Sequence, residues 1–103
     1  MIRGSLVPNI TFFDHRGRLD LEKTKWHMRW MFARGVDGLF LTGSYGSGPM
    51  ISLDERLEIF KAAKEVAADF EGKILIPHVG CIDTESTVKL AQAAERIGVD
   101  AIG

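Results

Sequence analysis

The stretch 35-GVDGLFLTGSYGSGPMISLDER-56 contains an apolar run, a glycine-rich segment and a helix start, in that order. Val36 to Leu41 is short and almost uninterrupted in its apolar character, which is typical of a strand covered on both faces. Residues 42–49 form the glycine-rich segment, and Ser52 with Glu55 makes the capping-box pattern that begins a helix. The stretch therefore predicts a strand, a loop and a helix.

The same alternation of strand and helix continues on both sides of this stretch. We predict further strands at residues 6–13, 74–79 and, only begun, 99–103, and further helices at about 20–34 and 83–97. Parallel neighbours need a crossover of about a dozen residues or more, which these helices provide. The motif 35-GVDG-38 also recurs as 98-GVDA-101, two strand–helix units later. The fold class is therefore α/β with a parallel sheet, in either a barrel or a doubly wound arrangement.

Composition and charge narrow the classes of partner. The chain of 103 residues has 46% apolar and 26% charged residues and a formal charge of -1, so we expect no nucleic acid and no anionic membrane as partner. No apolar stretch approaches the roughly 20 residues of a membrane span, and no signal peptide is visible. A single cysteine, Cys81, and the absence of ligand spacing among the histidines predict a cytoplasmic protein without a metal site.

The glycine-rich segment is the candidate for chemistry. Gly43, Gly46 and Gly48 surround the hydroxyl groups of Ser44 and Tyr45 directly after a buried strand. Glycine allows backbone N–H groups to turn toward a ligand, so a small carboxylate or phosphate could be held there. A tight strand-to-helix turn explains the glycines equally well. The pattern lacks the lysine of a P-loop and the glycine spacing of a dinucleotide-binding fingerprint.

Six segments together resemble one family of barrel enzymes. They are 4-GSLVP-8 with Thr11, 17-GRLD-20, 35-GVDGL-39, 43-GSYG-46, 52-SLDER-56 and 78-HVGC-81. In this order they resemble the dihydrodipicolinate synthase / N-acetylneuraminate lyase family, whose motifs include Gly-Thr/Ser-Thr-Gly-Glu and Leu-Ser-x-x-Glu-Arg. The resemblance implies a (β/α)8 TIM barrel, of which this chain holds about the first three and a half βα units. Residues 1–103 would then be the N-terminal part of a single barrel domain.

The resemblance also implies a mechanism, that of the class I aldolases. A lysine forms a Schiff base with pyruvate, no cofactor is needed, and the loop binds the pyruvate carboxylate. By position, substrate binding falls on Gly43, Ser44 and Tyr45, and a proton relay falls on Tyr45. Tyr45 stands where the family usually has threonine, and Ser47 where it has glutamate. The family's Schiff-base lysine comes from a later strand, outside this chain, so we expect the 103 residues alone to be inactive.

The resemblance does not decide which compound besides pyruvate takes part in the reaction. The family includes condensation of pyruvate with aspartate semialdehyde, cleavage of N-acetylneuraminate and cleavage of 2-keto-3-deoxy sugar acids, and 78-HVG-80 is closer to the last two. The expected partners are pyruvate or another 2-keto acid and further copies of the chain, commonly as a homotetramer. The alternative is a truncated barrel fragment that is not catalytic and acts only through assembly.

Overall fold

The computed structural model describes residues 2–103, in which three parallel strands alternate with three helices. The strands are β1 (Leu6–Pro8), β2 (Gly38–Leu41) and β3 (Ile74–Pro77), and the helices are α1 (Leu21–Ala33), α2 (Leu53–Ala67) and α3 (Thr84–Ile97). The strands lie in the order β1-β2-β3, with Val7 opposite Leu39 and Phe40 opposite Ile76. The predicted parallel α/β alternation is confirmed.

Each helix begins at a side-chain cap, and the sequence pattern of Ser52 and Glu55 predicted the one on α2. Asp20, Ser52 and Asp83 each accept a hydrogen bond from the backbone N–H three residues later. Both halves of the capping box are present, since the Glu55 carboxylate accepts the N–H of Ser52 at 3.0 Å. That hydrogen bond lowers the pKa of Glu55 below its usual value. The caps satisfy N–H groups that have no partner inside the helix.

The two faces of the sheet have different surroundings. Leu39, Leu41 and Leu75 are buried and belong to the core that the three helices complete. Successive side chains of a strand point to opposite faces, so Phe40, Ile76 and His78 lie on the face that the helices leave uncovered. Helix residues that fill the core include Met28, Phe32, Ile59, Phe60, Val66 and Leu90.

The first strand is shorter than the predicted 6–13. It ends at Pro8, and the chain then folds back through an isolated antiparallel pair, Phe13 with Leu19. The Asp14 carboxylate holds the intervening turn by accepting the N–H groups of Arg16 and Arg18. The prediction of a longer strand was wrong because the backbone of Phe12 has other partners. Its N–H donates to the Thr24 hydroxyl at 3.1 Å, and its carbonyl accepts the N–H of Asp20 at 2.8 Å.

Residues 99–103 run beside β3 without forming a regular strand. The N–H groups of Asp100 and Gly103 donate to the carbonyls of Leu75 and Pro77, at 3.2 and 3.0 Å. Pro77 has no N–H to return, and the Leu75 N–H is taken by the Asp100 carboxylate at 2.8 Å. The predicted start of a fourth strand therefore lies beside β3, but residues 99–103 do not form a strand in this structure.

Within residues 2–103, no helix is both long enough and apolar enough to cross a membrane.

Candidate functional site

The carboxyl ends of the three strands are joined by buried polar contacts. Asn9, which follows β1 and is fully buried, accepts the N–H of Thr42 at 2.8 Å and donates to the hydroxyl of Thr11 at 3.1 Å. The Thr11 hydroxyl donates in turn to the carbonyl of Gly46 in the glycine-rich loop. The end of β1 therefore fixes the position of the loop after β2. Our sequence analysis missed Asn9, although an asparagine inside an apolar strand pattern is a visible signal.

Two of the loop glycines are required by close packing. A Cβ on Gly46 would lie 2.6 Å from Asn9 Oδ1, and a Cβ on Gly48 would lie 1.8 Å from the carbonyl oxygen of Thr42. Thr42 itself is buried and has the left-handed φ of 53°. At these positions the glycines make a tight turn, as the plainer of the two interpretations predicted.

The first half of the loop, in contrast, presents unused donors. The N–H groups of Ser47 and Gly48 donate to the carbonyls of Ser44 and Gly43, both at 3.1 Å. The N–H groups of residues 43–46 take part in none of the hydrogen bonds of the described chain, and neither do the side-chain hydroxyls of Ser44 and Tyr45. Tyr45 is 80% exposed. Consecutive free N–H groups beside hydroxyls are an arrangement that can bind an anion.

The neighbouring loop after β3 is held by α2. The guanidinium of Arg56, which is only 4% exposed, donates to the carbonyls of His78 and Gly80 and, at 3.3 Å, to Cys81 Sγ. The hydroxyl of Thr42 also donates to the His78 carbonyl, at 3.2 Å. The loops after β2 and β3 thus share one hydrogen-bonded framework.

A cleft of about 600 Å³ lies between the far end of the glycine-rich loop and the β3–α3 loop. Its lining includes Gly48, Pro49, Arg56, Cys81, Ile82 and Ser86. Ser44 and Tyr45 are not part of this lining, so the predicted substrate residues lie outside the cleft on the same rim. We place the candidate site at the free donors of the loop, because those groups are unpaired and the polar groups of Arg56 are mostly engaged.

The lysines occupy other places. Lys64 and Lys73 donate to the carbonyls of Gly98 and Val36, each at 2.8 Å, and Lys89 pairs with Glu85 at 3.3 Å. Lys61 is exposed on α2. Each of these four lysines lies on a helix or at the entrance of a strand, away from the carboxyl ends where the loop lies. That none of them is the Schiff-base lysine stays a prediction.

The strands, helices and polar rim define part of a (β/α)8 barrel, a fold whose enzymes carry their sites at the carboxyl ends of the strands. The model of the dihydrodipicolinate synthetase family matches residues 1–103, and the chain belongs to that family.

Known relatives agree on the family and on the fold. N-acetylneuraminate lyase from Citrobacter koseri is 38% identical over 102 residues, which are 98% of this chain and 33% of the relative. The crystal structure of CdNal from Clostridium difficile in complex with mannosamine matches with a TM-score of 0.91 and 31% identity, over 99% of this chain and 35% of that one. The structure of KD(P)GA from T. tenax matches with a TM-score of 0.87 and 33% identity, over 97% of this chain and 33% of that one. The chain thus spans about a third of the length of these relatives.

Proposed function

We propose that this chain is the N-terminal part of a single TIM-barrel domain in a class I aldolase that forms or cleaves a carbon–carbon bond to pyruvate. The observation that carries the proposal is that the N–H groups of residues 43–46 have no hydrogen-bond partner among residues 2–103. Within this stretch Ser44 and Tyr45 are exposed, and Gly43 and Gly46 are buried. In a parallel barrel this is the rim on which substrates bind. Membership of the dihydrodipicolinate synthetase family supports the reaction class.

The proposal assigns roles to three residues of the loop, Gly43, Ser44 and Tyr45. Gly43 and Ser44 bind the pyruvate carboxylate through their N–H groups, with the Ser44 hydroxyl as a further donor. Tyr45 contacts the substrate and relays a proton through its phenol. Because the buried contacts of Asn9 and Thr42 fix the loop before substrate arrives, little ordering is needed on binding.

In this proposal the chain supplies the groups that bind the pyruvate carboxylate. The lysine whose Schiff base accepts electrons during the reaction lies outside the chain. The family resemblance implies that the Schiff-base lysine comes from a later strand of the barrel, and Lys64, Lys73 and Lys89 of this chain are engaged elsewhere. An active enzyme therefore needs the rest of the barrel, and we expect a cytoplasmic homo-oligomer, in line with the family. The relatives named N-acetylneuraminate lyase and KD(P)GA favour cleavage of a sugar acid over condensation of pyruvate with aspartate semialdehyde.

A second candidate is a non-catalytic fragment that acts through assembly. Leu6 on β1 is 41% exposed and Ile102 at the other edge of the sheet is 50% exposed. Exposed apolar side chains at sheet edges favour pairing with further chains. A mass in solution that rises with concentration, without any response to pyruvate, would favour this candidate.

Pyruvate binding to the isotopically labelled chain tests the proposal. Amide resonances of residues 43–46 should shift on addition of pyruvate, and acetone, which has the ketone without the carboxylate, should leave them in place. Ser44→Ala should weaken pyruvate binding about tenfold, the loss of a charge-assisted hydrogen bond. Ser47→Ala, in the same loop, is the matched control and should bind normally. Equal responses to pyruvate and acetone, or none to either, would contradict the carboxylate site.

A further inference from the structure

His78 presents its side chain on the same face of the sheet as the interior of the barrel. It follows the last residue of β3, two residues after Ile76, and its imidazole lies against the ring of Phe40 with ring centres 5.9 Å apart. Residues two apart in a strand share a face, and the core residues Leu75 and Pro77 alternate with them toward the helices. The imidazole therefore faces away from the helices, toward the space that the barrel encloses.

The backbone of His78 is held by hydrogen bonds, whereas its ring nitrogens have no hydrogen-bond partner among residues 2–103. Its N–H donates to the carbonyl of Leu41 at 2.8 Å, and its carbonyl accepts from Thr42 and Arg56. Neither ring nitrogen takes part in any hydrogen bond of residues 2–103. Gly80 leaves room for the ring, because a Cβ there would lie 2.7 Å from the imidazole Cε1. A rigidly mounted imidazole with both nitrogens unused can hydrogen bond a ligand.

The ring also lies close to the proposed carboxylate site. Continuing the register of β2 and β3, Thr42 is the neighbour of His78, and adjacent strands are about 4.8 Å apart. The loop donors begin at the residue after Thr42, and a Cβ on Gly43 would touch the same Phe40 ring at 2.7 Å. The backbone position that carries the imidazole is therefore next to the start of the loop.

We propose that His78 is a specificity-determining residue that hydrogen bonds a hydroxyl group of a polyhydroxylated 2-keto acid whose carboxylate is held by the glycine-rich loop. This inference rests on the proposed function and adds a residue that distinguishes the sugar acid from pyruvate at the same site. A neutral imidazole both donates and accepts, as a hydroxyl does, so the pair is well matched. Pyruvate has no hydroxyl group and so offers His78 no such partner.

Binding of two ligands to the labelled chain separates this inference from the proposed function. The ligands are pyruvate and 2-keto-3-deoxygluconate, and the signals are the amides of residues 43–46 and the ring of His78, assigned through His78→Gln. We expect pyruvate to shift the loop amides alone and the sugar acid to shift both. His78→Leu should weaken binding of the sugar acid about threefold to tenfold, the range of one neutral hydrogen bond, with pyruvate binding unchanged. His78→Gln should retain most of the affinity, and His15→Gln, on an exposed turn, is the control.

Each other outcome overturns the inference in a distinguishable way. A sugar acid that shifts the loop amides but not the His78 ring, and that binds His78→Leu normally, overturns the role of His78 and leaves the aldolase proposal in place. Pyruvate binding without any binding of the sugar acid overturns the substrate class. Loop amides that respond to neither ligand overturn the proposed function together with this inference.

Discussion

Replacing Asn9 by alanine tests how the loops at the carboxyl ends of the strands are held together. The side chain of Asn9 is fully buried and makes two hydrogen bonds, with the Thr42 N–H at 2.8 Å and the Thr11 hydroxyl at 3.1 Å. Asn9→Ala leaves the Thr42 N–H buried and unpaired, which costs about 1–3 kcal/mol, and loses a second bond worth about 1 kcal/mol. Thr11 keeps its bond to the Gly46 carbonyl. We expect the free energy of unfolding to fall by about 2–4 kcal/mol.

Urea unfolding followed by circular dichroism measures this loss as a lower midpoint at unchanged slope. Ile10→Ala is the matched control, because Ile10 is the next residue and is 48% exposed; it should cost less than about 1 kcal/mol. If Asn9→Ala costs no more than Ile10→Ala, the buried contacts at the ends of the strands do not hold the loop, and our account of the rim is wrong.

Three further changes test separate parts of the structure. Gly48→Ala places a Cβ 1.8 Å from the Thr42 carbonyl oxygen, so the loop must move; we expect a melting temperature lower by several degrees and displaced amide resonances across residues 43–48. Ser52→Ala removes the cap of α2 and should cost about 1 kcal/mol in urea unfolding, whereas Ser52→Thr should cost a few tenths. The backbone N–H and hydroxyl of Ser5 hold the pKa of Asp37 below its usual 3.8, so ionised Asp37 stabilises the fold above about pH 4 and this contribution is lost as the pH falls through the folded value. Asp37→Asn should therefore lower the melting temperature near neutral pH and leave it almost unchanged at a pH below the folded pKa of Asp37.

The repeating units of this fold are visible in the sequence because local rules determine them. The capping pattern at Ser52 and Glu55 and the apolar run of β2 each depend on neighbours within a few residues, and the structure confirms both. The early end of β1 depends on partners further along the chain, such as the Thr24 hydroxyl that accepts the N–H of Phe12, and the bond of Asn9 to Thr42 is likewise non-local. Polar contacts between residues far apart in the chain were therefore the main feature that could not be predicted from the sequence.

The candidate site also contains residues that the sequence indicates and residues that only the structure brings together. Ser44 and Tyr45 stand out in the sequence because hydroxyls flanked by glycine follow a buried strand, and their roles stay predictions. His78 was visible only as part of a motif, since its free ring and its contact with Phe40 depend on the pairing of β2 and β3. Arg56 belongs to the helix-start motif, but its bonds to the His78 and Gly80 carbonyls require the packing of α2 beside β3. The residue types alone therefore indicated the loop as a candidate site. The positions of His78 and Arg56 beside it became visible only from the pairing of the strands and the packing of α2.

The central claim is that this chain provides the carboxylate site of a pyruvate aldolase whose Schiff-base lysine lies on another part of the barrel. A chimera tests it most directly, with residues 1–103 in place of the matching third of the Citrobacter koseri N-acetylneuraminate lyase. The folded chimera is incubated with pyruvate and borohydride, which traps a Schiff base, and its intact and peptide masses are measured. We predict one reduced pyruvate on a lysine of the lyase portion, and much less of it with Ser44→Ala. A folded chimera without an adduct, or an adduct on a lysine within residues 1–103, would contradict the account.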